Sequence, residues 1–335
     1  MSLCAASQNF GKLVPKKSME SALSNKTDTK RDFIWLFFKG AGMGAADVVP
    51  GVSGGTIAFI TGIYARLLGA IKSVNLDAIK TLRSNGLKAA WQHIDGTFLV
   101  VLFAGLLTSA ASLAKLITYL LEHHQLFVWS FFFGLIIASF IHVGKQVSRW
   151  DLPTISACLA GAVIAYVITS LAPAEAVPQT WYYFAAGAIA ICAMILPGIS
   201  GSFILLLLGM YGHVLSAVNE MQVMLIALFL GGCVVGLMAF SRLLSWLLSR
   251  FEQVTFALLC GFLLGSLNLL WPWKQVLTTY TNSKGIEKPL TQANVLPGEF
   301  ARLSGQEPYV LSCALLAVAG LALILMIERI SRKDA

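Results

Sequence analysis

The pattern Pro-Gly-x-Ser-Gly occurs twice in this chain, each time inside an apolar run. The first copy is ADVVPGVSGGTIAFITGIYARLL from Ala46 and the second is AMILPGISGSFILLLLGMYGHVL from Ala193. Proline removes a helix donor and glycine frees the backbone, so neither run can cross a bilayer as one uninterrupted helix. Broken backbone at membrane depth is tolerated only where protein or water surrounds it. A chain with two such breaks must hold both inside a larger assembly of helices.

Composition supplies that assembly. Of 335 residues, 57% are hydrophobic and only 12% charged, more apolar surface than a soluble domain of this size could bury. The chain therefore reads as an all-α polytopic membrane protein. Six segments are long enough to span as helices, roughly residues 96–121, 127–145, 152–172, 222–249, 254–273 and 308–328. The formal net charge of +8 reads as cytoplasmic Lys and Arg, with no nucleic-acid partner implied. The cysteines, Cys4, Cys158, Cys192, Cys233, Cys260 and Cys313, lack metal-ligand spacing, and no metal or cofactor is expected. Residues 1–31 are polar and basic without the apolar run of a signal peptide, which predicts a cytoplasmic tail.

Charge also orders the spans. The tail and the stretch 72–94 are both basic, so the first broken segment, 33–71, should start and end in the cytoplasm as a re-entrant element. Within 72–94, Val74, Ile79 and Leu82 recur near helical spacing among Lys72, Lys80, Arg83 and Lys88, which reads as an amphipathic stretch on the membrane surface; a solvated loop is the alternative. Three spans then lead to a second re-entrant segment, 181–218, from the outside. The last three spans enclose a long outer loop, 274–307, and return the C-terminus to the cytoplasm. His123, His124 and His142 read as interfacial, and Trp271 and Trp273 as an aromatic belt.

The two breaks belong to a longer repeat. At an offset of 197 − 50 = 147, Gly51, Ser53, Gly54, Gly62, Tyr64 and Leu68 match Gly198, Ser200, Gly201, Gly209, Tyr211 and Leu215. Further on, KLITYLLEHHQLFVWSFFFGLIIASF from Lys115 matches RLLSWLLSRFEQVTFALLCGFLLGSL from Arg242 at an offset of 242 − 115 = 127. The drop of 20 is the surface stretch that the second copy lacks. Each copy, 32–173 and 174–335, is a re-entrant hairpin plus three spans, and an odd span count turns the second copy upside down.

That inversion predicts a site. The two breaks should meet near the membrane midplane, each followed by a half-helix whose N-terminus carries free N–H groups and a partial positive charge. Ser53, Gly54, Gly55 and Thr56 in one copy, and Ser200, Gly201 and Ser202 in the other, are the expected anion binders, most naturally for a phosphate. Tight packing by small residues is the competing explanation of the glycines. Lys115 and Arg242 occupy matched places about 10 Å inside their spans. They read as buried cations that neutralise the phosphate, or else as snorkelling side chains. Asp47, the acid of the first break, is a candidate proton or cation coupling site, with a capping role or pairing to Lys39 or Arg66 as alternatives. Arg66 and His213 are candidates for gathering headgroups at the two faces, or ordinary interface anchors.

The segments GAADVVPGVSGGTIAFITGIY and ILPGISGSFILLLLGMYGHVL resemble the PopT-type family of bacterial undecaprenyl-phosphate translocases, and the resemblance runs from about Trp35 to Glu328. The resemblance implies a flippase that returns undecaprenyl phosphate from the outer to the cytoplasmic leaflet of the bacterial inner membrane. Its partners would be that lipid and the bilayer; the Asp47 reading adds a coupling proton or cation as a candidate, and a homo-oligomer is left open. It does not fix catalytic residues. The rivals are a small-anion transporter and a membrane-embedded polyprenyl-pyrophosphate phosphatase. The latter needs clustered acids or a Ser/His pair, whereas Asp47 stands alone in its segment.

Overall fold

The computed structural model describes residues 30–49, 52–174, 179–281 and 287–333. The expectations for the tail and for Pro50 and Gly51 themselves lie outside these residues. The first copy begins with α1 (Lys30–Val48), a short half-helix α2 (Gly54–Ile60) and α3 (Tyr64–Ser73). The helix α4 (Leu76–His93) follows, then α5 (Gly96–His123), α6 (Gln125–Gly144) and α7 (Leu152–Ser170). The second copy repeats the order with α8 (Thr180–Ile195), the half-helix α9 (Gly201–Leu207), α10 (Tyr211–Asn219), α11 (Val223–Arg250) and α12 (Glu252–Leu270). A hairpin of β1 (Lys274–Thr281) and β2 (Glu287–Asn294), a short α13 (Pro297–Ser304) and the last span α14 (Val310–Lys333) complete it. The six predicted spans are α5, α6, α7, α11, α12 and α14.

Local chemistry sets several of the boundaries. Asp151 accepts from the Thr154 amide while the Thr154 hydroxyl accepts from the Asp151 amide, and Pro153 occupies the first turn, so α7 starts where this reciprocal cap places it. Asn75 caps α4 by accepting from the Asp77 and Ala78 amides at 2.8 and 3.1 Å. The 72–94 stretch is indeed helical, bent at Gly86, and turns Leu76, Ile79, Leu82 and Leu87 outward. The sequence predicted one break per re-entrant segment, but each has two. Beyond the half-helix the chain bends again, by 115° between α2 and α3 and by 106° between α9 and α10. Both bends turn on a glycine in the left-handed region, Gly62 at φ 74° and Gly209 at φ 66°, where a side chain would be strained.

Helix directions reveal the symmetry. Gly40 and Gly44 of α1 lie against Leu102 and Leu106 of α5, so these helices run parallel in close contact. Gly232 and Gly236 of α11 lie against Phe184 and Ala188 of α8 in the same way. The equivalent helices α6 and α12 are antiparallel: Phe133 meets Trp271, Cys260 donates to the Phe140 carbonyl, and the Ser148 amide donates to Gln253. Equivalent helices running oppositely are what an inverted repeat requires. The third spans change partners. Gly261 and Gly265 of α12 pack on Cys158 and Ala162 of α7, while Gly134 of α6 and Gly320 of α14 pack on each other's helices. The two copies are therefore interleaved. One core runs through both and includes Val49, Val52, Phe59, Ile136, Ile199 and Leu263.

Candidate functional site

The first half-helix is saturated by its own copy. Ser53 is extended, at φ −122° and ψ 134°, and its hydroxyl accepts from the Gly55 amide at 3.1 Å. The Asp47 carboxylate, at the end of α1, accepts from the Gly54 amide at 2.6 Å, and the Thr56 amide reaches the Ser53 carbonyl. At the other end of α2, the Lys39 ammonium donates to the Thr61 carbonyl at 2.9 Å. Asp47 and Lys39 are eight residues apart on α1, about 12 Å along the axis, which suits the roughly 10 Å length of the seven-residue α2. An acid thus sits at the positive end of the half-helix and a cation at its negative end, as the helix dipole favours. The second carboxylate oxygen of Asp47 is buried without a hydrogen-bond partner among the described residues.

The two breaks meet and interlock, as the inversion predicted. α8 ends at Ile195, leaving carbonyls with no intrahelical donor. The Ser53 hydroxyl donates to the Met194 carbonyl at 2.8 Å, and the Tyr64 hydroxyl to the Ile195 carbonyl at 3.1 Å. In return the Gly198 amide donates to the Thr56 hydroxyl at 2.9 Å. Gly55 lies so close that a Cβ there would stand 2.5 Å from the Ile195 carbonyl oxygen. The traffic is one-sided. Ser200 caps nothing, and its hydroxyl pairs with that of Ser202 at 2.9 Å. The repeat equivalents of Asp47 and Lys39 are Met194 (47 + 147) and Ala186 (39 + 147), so α9 has neither charge at its ends.

This geometry revises the expected anion site. Ser53, Gly54, Gly55 and Thr56 already spend their polar groups on Asp47, on one another and on the second break. Among the described residues the Ser200 and Ser202 hydroxyls are engaged only with each other, beside the buried Gly201. The cations are not brought to the breaks either. Lys115 and Arg242, expected to be buried, are both exposed, and Arg242 donates to the Met238 carbonyl of its own helix. α11 turns Ser241 and Leu244 inward, which points the neighbouring Arg242 away from the helix bundle. Arg66 is held bidentately by Asp95 at 2.7 and 3.1 Å and lies over the Phe98 ring, so most of its guanidinium is committed. His213 is half-buried in the first turn of α10.

Sequence reading missed Tyr64 and Lys39 as site residues. Tyr64 was visible only as a repeat match, and Lys39 only as an alternative partner of Asp47, because the carbonyl it does reach lies 22 residues on. Among the described residues, no group of three or more His, Cys, Asp or Glu side chains could hold a metal ion.

Two oppositely running copies joined through interlocked membrane breaks define an inverted-repeat polytopic membrane protein, the architecture of many secondary transporters. Residues 43–288 match the VCA0040-like family, described as undecaprenyl phosphate translocase-like, and the chain belongs to that family. It is 49% identical over 302 residues to a polyprenyl-phosphate transporter of Vibrio cholerae, covering 90% of this chain and 98% of the relative. A polyprenyl-phosphate transporter of Staphylococcus aureus is 33% identical over 261 residues, covering 72% of this chain and 88% of its own. No solved structure matches the chain.

Proposed function

We propose that this protein carries undecaprenyl phosphate across the bacterial cytoplasmic membrane, from the outer to the cytoplasmic leaflet, for reuse in envelope synthesis. The observation that carries the reading is the meeting of two membrane breaks from oppositely oriented copies. The printed names of the relatives supply the lipid class. Both termini then lie in the cytoplasm. This agrees with the end of the assembly that carries Lys72, Lys80, Arg83 and Lys88, together with Lys145, Arg149 and Arg250.

In this mechanism Asp47 is an internal anion. It holds the first half-helix until the other copy releases it, and it takes up the coupling proton or cation when freed. The phosphate binds on the looser side, where Ser200 and Ser202 supply hydroxyls and Gly201 allows close approach. Lys115 and Arg242, on the outer flanks of equivalent helices, attract the headgroup at opposite faces. Transport alternates between two states in which the copies exchange roles. The test is a proteoliposome assay: undecaprenyl phosphate should leave the outer leaflet without release of inorganic phosphate. Release of phosphate would instead make the protein a phosphatase, and no redistribution would end the proposal.

A further inference from the structure

The interlocked breaks are not the only place built for a ligand. A cavity of about 810 Å³ opens at the end of the assembly where α5 turns into α6, roofed by the β-hairpin and α13. Its volume falls within the range of sites that hold small organic molecules, about 300–1,000 Å³. Its polar and basic lining is His123 and His124 from the turn and Lys274 and Gln292 from the hairpin. Its apolar lining is Phe127, Trp129, Phe300 and Leu303, set among the basic groups: the His124 ring stacks on Phe127 at 6.0 Å. Lys274 joins the two. Its ammonium stands 3.8 Å from the centre of the Trp129 ring and donates to the Leu269 carbonyl at 2.6 Å. An ammonium has three donors, so this one keeps capacity for a further acceptor. Glu122 also lines the cavity, one carboxylate among Lys274 and the two imidazoles.

We propose that this cavity is a docking site for the phosphate end of a prenyl phosphate, distinct from the interlocked breaks. A bare anion would use the basic groups and leave the aromatic ones idle. An uncharged prenyl chain would leave the remaining donors of the Lys274 ammonium unused. A phosphomonoester joined to an allylic chain uses both, with phosphate on Lys274 and the histidines and the first prenyl units along Phe127 and Trp129. The choice of a prenyl tail rests on the transport reading above; the anion-plus-apolar chemistry rests on the cavity alone. On that reading the cavity faces the outer leaflet and receives the lipid before it reaches the breaks.

The experiment uses the purified full chain in nanodiscs, with Gln292→Cys as a reporter inside the cavity and a bulky maleimide as the label. Farnesyl phosphate should slow labelling, whereas farnesol and inorganic phosphate at the same concentration should not. Lys274→Met should weaken that protection about tenfold or more, and Lys274→Arg should largely keep it, because a charge-assisted hydrogen bond is lost in one and retained in the other. Unchanged elution and helicity would verify that both variants fold. No protection by farnesyl phosphate, equal protection by farnesol, or equal protection by inorganic phosphate would each overturn the proposal. Wild-type transport in proteoliposomes separates the two ideas. Transport without protection removes the cavity and leaves the function; protection without transport does the reverse.

Discussion

Ser53 and Ser200 occupy matched places in the sequence and unmatched places in the energetics. The Ser53 hydroxyl is fully buried, accepts one hydrogen bond and donates another across the copies. Its loss leaves the Gly55 amide and the Met194 carbonyl without that partner. Ser53→Ala should therefore cost about 1–3 kcal/mol. Ser200→Ala removes only a contact with Ser202 and should cost well under half of that. Thermal unfolding in detergent compares them, and equal shifts would refute the asymmetry. Asp47 allows a finer contrast. Asp47→Asn keeps an oxygen for the Gly54 amide, while Asp47→Ala strands that buried donor. The Asn variant should stay folded and lose the dependence of transport on its driving gradient. The Ala variant should also lose stability, by about 1–3 kcal/mol. A gradient response in Asp47→Asn equal to wild type would take Asp47 out of the coupling step.

Among the elements, the spans and both breaks were legible because their signals are local: long apolar runs, and Pro-Gly inside them. The equivalence of α6 with α12 was legible too, since the Lys115 and Arg242 segments align at one offset. Other features depend on contacts between distant residues. Gly62 and Gly209 were visible as matched residues, but nothing in an alignment says that they bend the chain past a right angle. The exchange of third spans rests on Gly161 and Gly320, whose separation of 320 − 161 = 159 follows neither repeat offset. A capping role for Asp47 was one of the readings the sequence offered, but its target, the Gly54 amide seven residues on across the break, was not legible. The strands of the 274–307 loop lack the apolar alternation that marks a half-buried strand, and they are held from the side. The Trp271 indole donates to the Val295 carbonyl and the Trp273 indole to the Pro308 carbonyl. These two residues, read as an aromatic belt, tie the hairpin to the ends of α12 and α14. The hairpin also carries a titration. Burial pushes the Lys274 ammonium down to about 7, while an unfolded lysine stays protonated to about 10.4. Between those values the unfolded chain binds more protons, so stability should rise with pH across that window. Lys274→Met should abolish the rise, which unfolding midpoints at pH 7 and pH 10 would reveal.

At the scale of the whole molecule, the two copies have similar helices and different packing. α3 is anchored through Tyr64, Leu67, Leu68, Ala70 and Ile71, all buried, and it lies against α11 of the other copy. Its equivalent α10 buries only Ala217 among the described residues, and Tyr211, the match of Tyr64, is exposed. On the proposed alternation, two copies of one unit that pack unequally are one member of a pair of states. Exchange of their roles would give the other, with Tyr211 turned inward to the carbonyl of Val48 (195 − 147) and Tyr64 swung out. The link between Tyr64 and Ile195 must then break in every cycle. With the native cysteines replaced, Tyr64→Cys and Ile195→Cys joined by a short bis-thiosulfonate should arrest transport, and reductant should restore it. A pair spanning Tyr211 and Val48 should react slowly in the state described here and faster when undecaprenyl phosphate is turning over. If the first crosslink formed fully and transport continued unchanged, the interlock would be a static joint and the copies would not exchange roles.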